Sequence, residues 1–227
     1  MKTDGSRYVG TNNINRDEVS PAVIKRLPRY FRYLRELLSS DILRISSSEL
    51  SKIMHVTASQ IRQDFNCFGG FGQQGYGYNV KYLYGKISEI LGVTQNYNAV
   101  IIGAGNLGRA LASSQTFRKR GVQLKALFDV NPEVIGTDIS GYNILPMSEL
   151  EQFNAENHID IAVLAIPREV AMETAEKLSQ LGIRGLWNFA SCEIELPNSD
   201  MVIENVHMGD SLMTLCYELN YKFGDQL

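Results

Sequence analysis

The 227-residue chain has no apolar run approaching the roughly 18 residues that mark a membrane-spanning helix, and its amino terminus lacks the apolar segment of a secretion signal. Both absences lead to the expectation of a cytoplasmic protein with no membrane partner. Cysteine is scarce: Cys67, Cys192 and Cys216 stand far apart, with no C-x-x-C pair. That spacing offers neither a disulfide framework nor a zinc or iron–sulfur ligand set, so no metal is expected and the three are read as small buried side chains. Histidine is nearly as scarce, with three in the chain. What is present is the ordinary composition of a folded protein, 44% hydrophobic and 21% charged.

The net charge of −3 hides a division. Residues 1–85 carry 12 Lys/Arg against 7 Asp/Glu, whereas residues 86–227 carry 10 against 18. A basic module joined to an acidic one suits a first domain that meets a polyanion and a second that does not.

Residues 1–19 are polar and aperiodic and are expected to form a flexible tail. Ser20-Pro21 reads as a helix start, and apolar residues from Val23 to Leu38 keep a helical period. Pro28 predicts either a later start near Leu27 or a kink. Ser46-x-x-Glu49 and Thr57-x-x-Gln60 are two capping boxes, opening helices that end near Met54 and Cys67. Two short helices joined by a turn at His55-Val56 have the spacing of a helix-turn-helix. On the second of them Ala58, Ile61 and Phe65 share an inner face, leaving Ser59, Gln60, Arg62, Gln63 and Asn66 largely outward. Gln and Asn can pair with adenine N6 and N7, and Arg with guanine O6 and N7. Residues 68–80, FGGFGQQGYGYNV, then alternate glycine with Phe68, Phe71, Tyr76, Tyr78 and Val80. They predict a β-hairpin with a Gln73-Gln74-Gly75 tip, hence a winged helix, with Gln73, Gln74, Gly75 and Tyr76 as further DNA contacts. The competing reading is a small helical domain whose wing binds protein.

Residues 98–129 carry the strongest motif. A strand, Asn98–Ile102, runs into Gly103-Ala104-Gly105-Asn106-Leu107-Gly108, then a helix to about Lys119 and a second strand ending at Asp129. G-x-G-x-x-G between strand and helix, with an acidic residue 21 positions after Gly108, is a dinucleotide-binding fingerprint. Gly103 permits the turn, Gly105 lets the pyrophosphate approach, and Gly108 lets helix and strand pack. The helix amides face the phosphates. Asp129 is expected to accept hydrogen bonds from the adenine ribose and to repel a 2′-phosphate, favouring NAD⁺ and NADH over their phosphorylated forms. The competing reading is a Rossmann fold without cofactor. Further strands at Ile159–Ile166, Ile183–Phe189 and Met201–Ile203 continue the pattern, so Ala165, Ile166, Pro167, Asn188, Phe189 and Ala190 are candidates for the nicotinamide side.

About 100 residues follow Asp129, too few for a separate substrate domain. His158 precedes a strand, at the wrong end for chemistry. His207 follows the last strand, but no carboxylate partner is visible for acid–base work. No catalytic residue is assigned. An NAD-dependent oxidoreductase and a nucleotide-gated protein–protein adaptor stand as alternatives. Residues 209–221 form a last helix, apolar on several sides. It is expected to insert into a partner subunit, the alternative being its own core. The expected organisation is a tail (1–19), a winged-helix domain (20–85), an α/β Rossmann domain (86–207) and a C-terminal helix exchanged in a homodimer (208–227).

The chain resembles the bacterial redox-sensing repressor family Rex, from about Ser20 to Tyr221. The strings that carry the resemblance are IKRLPRYFRYL, SSSELSKIM, VTASQIRQDF, FGGFGQQGYGYNV, IIGAGNLG, FDVNPEVIG, AIPRE and GIRGLWNFA. The resemblance implies a transcriptional repressor that binds palindromic operator DNA in the apo or NAD⁺ form and is released when NADH closes the dimer. Arg62 then lies in the recognition helix and Gly75 at the wing tip. The family's lysine beside that arginine is Gln63 here, its basic wing residue Gln74, and its glycine-loop arginine Asn106. Arg32 matches an arginine that couples head to core. Its usual acidic partner is His207 here, and the aromatic beside that position, on the cofactor side, is Met208.

Overall fold

A computed structural model describes residues 19–68, 72–73 and 77–224, apart from the side chains of residues 72 and 73. Residues 1–18 of the expected tail, and Gln74, Gly75 and Tyr76 of the expected wing tip, lie outside the described residues. The chain forms two compact units, Met1–Thr94 and Gln95–Leu227.

The first unit opens with α1 (Pro21–Ser39), capped by Ser20, whose hydroxyl accepts from the Ala22 N–H. The helix runs through Pro28 without the expected late start. Its buried stripe of Val23, Leu27, Tyr30, Phe31 and Leu34 spans the proline, and that burial outweighs a penalty of about 3 kcal/mol. A two-residue strand, β1 (Arg44–Ile45), leads into α2 (Ser47–Met54) and α3 (Ala58–Asn66). His55 closes α2 in the left-handed conformation (φ 53°), making the turn between the two helices. The Ser46–Glu49 capping box is complete, with both reciprocal bonds made. The expected box at Thr57 is only half made: Thr57 caps the Gln60 N–H, but the Gln60 side chain turns to Asp64 instead.

The wing consists of β2 (Gly72–Gln73) and β3 (Gly77–Asn79), with β3 between β2 and β1 in an antiparallel sheet. Val80, expected to close the hairpin, starts α4 (Val80–Ile90) because Asn79 Oδ1 caps the Tyr82 N–H. The 85/86 boundary expected from the sequence falls inside this helix, which carries Leu83 and Ile87 into the first unit's core. Stacking of Phe31 on Tyr84, centroids 4.9 Å apart, fastens α4 to α1. Phe65 meets Tyr30 at 4.8 Å and Tyr78 at 5.0 Å, joining α1, α3 and the wing at one aromatic knot.

The second unit is a doubly wound sheet. Its elements are β4 (Tyr97–Ile102), α5 (Asn106–Ser113), β5 (Val122–Asp129), β6 (Asp138–Ile139), β7 (Tyr142–Pro146), α6 (Leu150–Asn157), β8 (Ile161–Leu164), α7 (Arg168–Gln180), β9 (Gly185–Asn188), β10 (Val202–Asn205) and α8 (Met208–Phe223). The strand order is β10-β9-β8-β4-β5-β7-β6, parallel throughout except for β6. Counting the parallel strands alone, this is the 3-2-1-4-5-6 order of a Rossmann fold, whose order reverses between β4 and β8. One face packs Phe128, Leu164 and Leu186 against α6 and α7, and the other packs Ile101, Leu127 and Val163 against α5. The helix after the glycine motif ends at Ser113 rather than near Lys119; residues 118–120 form a separate 3-10 turn closed by left-handed Gly121.

Among the described residues no helix is long and apolar enough to cross a membrane. The cysteines depart from expectation, since Cys67 and Cys216 are exposed and Cys192 half-buried. Cys67 sits at the end of α3, and Cys216 belongs to α8, which has no buried residue at all.

Candidate nucleotide and nucleic-acid sites

The glycine motif fills the crevice where the strand order reverses. Gly103 follows β4 at φ +99°, and a Cβ there would stand 2.4 Å from the Ala165 carbonyl oxygen at the end of β8. The turn therefore needs glycine for two reasons, its backbone angle and the neighbouring strand. A Cβ on Gly108 would meet the Gly103 carbonyl at 1.9 Å, so α5 rests directly on the turn. At Gly105 nothing lies within 4 Å of such a Cβ, which leaves the backbone open to the crevice. The N–H groups of Asn106, Leu107 and Gly108 open α5 and have no partner within the helix, an arrangement that suits an anion.

Asp129 ends β5 and lines the same crevice. Its Oδ2 accepts the Ala104 N–H at 2.6 Å, and its Oδ1 accepts the N–H groups of Val130 and Asn131 at 2.7 and 2.8 Å. The carboxylate thus ties the glycine loop to β5 and keeps one acceptor position for a ribose hydroxyl. Arg109, unforeseen from the motif, folds back so that its Nε donates to the Ala104 carbonyl at 2.8 Å.

The crevice has a volume of about 500 Å³. Ala165, Ile166 and Pro167 line it, together with Val130, Met147, Val170 and Thr174, which the sequence does not single out. Val170 and Thr174 are four apart on α7, and that spacing on a helix following β8 is the signal that could have found them. Phe189 lies beyond β9 against Trp187, ring centroids 4.6 Å apart. Asn188 departs from its expected ligand role. It is fully buried, its amide nitrogen donates to the Cys192 carbonyl and to Asn205 Oδ1 at 2.8 Å, and its oxygen accepts the Ala190 N–H. Both side-chain N–H groups are used inside the fold.

His158 is exposed and left-handed at the end of α6, on the amino side of β8. His207 has the carboxylate neighbour the sequence concealed: Nε2 lies 3.3 Å from Glu193 Oε2, on the exposed surface before α8. Arg32 is exposed, its guanidinium 5.3 Å from the Tyr33 ring centroid. Met208, on the first turn of α8, is 61% exposed. Among the described residues no group of His, Cys, Asp and Glu could hold a metal ion.

In the first unit, α3 presents Ser59, Arg62, Gln63 and Asn66 to solvent. Arg62 reaches back to the Ser47 hydroxyl at 3.1 Å, at the start of α2. Two arginines of α1 hold the pair of helices. Arg29 donates to the Met54 carbonyl at the end of α2, and Arg26 makes a two-pronged contact with Asp64 of α3, both bonds 2.7 Å. Their charge therefore serves the fold, and the basic excess read from the sequence overstates what is left for a polyanion. Asp64 is fully buried and also accepts from Tyr30 Oη at 2.8 Å and Gln60 Nε2 at 2.9 Å. Burial alone would push its carboxyl up; the hydrogen bonds from Arg26, Gln60 and Tyr30 outweigh that and hold it below the usual carboxylate range.

Comparison with known proteins agrees with both halves. Residues 18–66 match the family model "Putative DNA-binding protein N-terminus", and residues 94–192 match the "CoA binding domain" model. A redox-sensing transcriptional repressor Rex of Caldanaerobacter subterraneus subsp. tengcongensis is 54% identical over 89% of this chain and 90% of its own. That of Clostridium perfringens is 52% identical over 89% and 95%. The crystal structure of RSP in complex with β-NAD⁺ and operator DNA superposes with a TM-score of 0.84 at 52% identity, covering 92% of this chain and 95% of RSP. RSP in complex with β-NADH gives the same TM-score at 49% identity, over 92% and 98%. An identity above one half, sustained along nearly the full length of such relatives, places this chain in the Rex family of redox-sensing transcriptional repressors.

Proposed function

We propose that this chain represses transcription by binding a palindromic operator as a homodimer, and that NADH releases it. The observation that carries the reading is the likeness, over 92% of the chain, to a repressor solved both with NAD⁺ and operator DNA and with NADH. Ser59, Gln60, Arg62, Gln63 and Asn66 of α3 meet base edges and phosphates, and Gln73, Gln74, Gly75 and Tyr76 add further DNA contacts. The pyrophosphate lies on the Gly103–Gly108 turn, the adenine ribose on Asp129, and the nicotinamide side on Ala165, Ile166, Pro167 and Phe189, with Met208 adjoining. Asp129 beside the ribose favours NAD⁺ and NADH over forms bearing a 2′-phosphate. Asn188 contributes by holding the loop that follows β9. The role proposed for the chain is regulation, as in the repressors it resembles, and neither His158, at the amino side of the sheet, nor His207, on the exposed surface, is assigned a catalytic part.

The support for a dimer is α8. It shows Leu212, Met213, Leu215, Tyr217, Leu219 and Tyr221 with exposures of 48–80%, far more apolar surface than a terminal helix keeps in water. Its own core does not take it up, so the exchanged arrangement is the reading that buries it. Replacing Leu215 and Leu219 together by aspartate is expected to give monomers by analytical ultracentrifugation, and to weaken operator binding about a hundredfold or more through loss of the second half-site. A dimer with unchanged affinity would count against this role for α8.

The repressor reading is tested by titrating a duplex selected from a random library, with NAD⁺ or with NADH present. Tighter retention with NAD⁺ is expected. Equal retention would reject redox control, and turnover of NADH with carbonyl compounds would favour the oxidoreductase alternative.

A further inference from the structure

The glycine motif specifies its three glycines and the acidic residue beyond them, and leaves the position after Gly108 open. In this chain Arg109 stands there, and it grips the turn twice. Its side-chain Nε donates to the Ala104 carbonyl at 2.8 Å, and its main-chain N–H donates to the Gly105 carbonyl at 2.9 Å. Nε carries a single hydrogen, so the bond to Ala104 uses all that this atom can give. Ala104 in turn donates its own N–H to Asp129 Oδ2 at 2.6 Å. Both peptides that meet at Ala104 are therefore held by a charged side chain, one from the end of β5 and one from α5.

The hold from α5 matters because of what flanks it. Gly103 and Gly105 stand on either side of Ala104, and glycine resists backbone rotation less than any other residue. In a trans peptide the N–H points opposite to the C=O, so fixing the Ala104 oxygen fixes the direction of the Gly105 N–H too. Gly105 is exposed and lines the crevice, whereas Arg109 is not among the described residues that line it. Once released, the Ala104–Gly105 peptide can turn its oxygen, which carries partial negative charge, toward an incoming phosphate.

Resting on the dinucleotide-binding role proposed for this turn, we propose that Arg109 is a positioning residue for NADH. It sets the Ala104–Gly105 peptide before the nucleotide arrives, and acts through that peptide rather than by touching phosphate. Without it only a fraction of the molecules present the turn in its binding form, and the apparent affinity falls by that fraction. The donor at Nε is then what matters in Arg109, and its charge is not.

The test compares Arg109→Met and Arg109→Gln with wild type, as full chains, by calorimetric titration with NADH. Methionine has a side chain of the same reach and no donor. Glutamine is neutral and carries its amide nitrogen as many bonds from Cα as arginine carries Nε. Arg109→Met is expected to bind NADH about tenfold more weakly, and Arg109→Gln to stay within about twofold of wild type. Because Arg109 is exposed, both variants are expected to melt within about 4 °C of wild type. Equal weakening in the two variants overturns the positioning role, since it assigns the effect to the charge. Unchanged affinity in Arg109→Met overturns it as well. So does a larger fall in the melting temperature of Arg109→Met, which would show that the bond holds the whole unit rather than the turn. In each of these cases the turn still stands as the nucleotide site. Failure of wild type to bind NADH overturns that site and this inference with it.

Discussion

Replacing Gly108 by alanine is expected to lower NADH affinity by about a hundredfold or more, close to 3 kcal/mol, and to lower the melting temperature as well. The added Cβ would fall 1.9 Å from the Gly103 carbonyl oxygen and 3.3 Å from the Ile101 side chain. The nearer neighbour is backbone and cannot rotate aside, so α5 must lift from the turn. Overpacking of this kind costs about 1–3 kcal/mol, and here it moves the amides that would face the phosphates. Gly105→Ala provides the contrast, because nothing lies within 4 Å of its Cβ. That variant is expected to melt like wild type yet bind NADH weakly, its methyl group standing in the approach path of the pyrophosphate. Thermal melting together with energy transfer from Trp187, the one tryptophan of the chain, to bound NADH separates the two outcomes. A Gly108→Ala protein that melts and binds normally would show that the turn is not the nucleotide cradle.

Sequence and structure agree where local rules decide. The glycine turn, the strand ahead of it and the acidic residue beyond it are set by backbone sterics over thirty or so residues, and each lies where its spacing predicts. The helix-turn-helix is legible for the same reason, since Ser46 and Thr57 cap their helices within one turn. What was not legible depends on partners distant along the chain. Asp64 reads as one more polar residue of α3, and only Arg26, 38 positions earlier, and Tyr30 make it the buried centre of the unit. Asn188 stands at a strand end where ligands bind, yet Cys192 and Asn205 take its amide. The short strands β6 and β7 went unseen because two to five residues carry too little periodicity. Pro28 misled in the other direction, a local penalty overruled by a continuous buried stripe.

Replacing Asp64 by alanine is expected to destabilise the first unit by about 3–5 kcal/mol. The change removes a carboxylate that accepts four hydrogen bonds. It leaves the Tyr30 hydroxyl buried without its acceptor and deprives the Arg26 guanidinium of its anion. Against a typical domain stability of about 5–15 kcal/mol, such a loss should abolish operator binding near physiological temperature. A second readout is pH. The folded-state value of Asp64 lies below its unfolded value, so the stability it contributes is fully present above the ordinary carboxylate range and is lost as pH falls through the lower folded value. Wild type is therefore expected to lose stability of the first unit on acidification below that range, and Asp64→Ala to lose markedly less. Matching acid-denaturation profiles for the two proteins would contradict the network's importance.

In the proposed switch one chain carries two binding modules whose occupancies oppose each other. Linkage makes that opposition measurable from the nucleotide side: if NADH weakens operator binding by some factor, the operator must weaken NADH binding by the same factor. The direct measurement is an NADH titration followed through Trp187 energy transfer, with and without saturating operator duplex. The expected result is a rightward shift of the NADH curve in the presence of operator, equal in factor to the effect of NADH on operator affinity. Superimposable curves would contradict the account, leaving two competent sites on one chain with no switch between them.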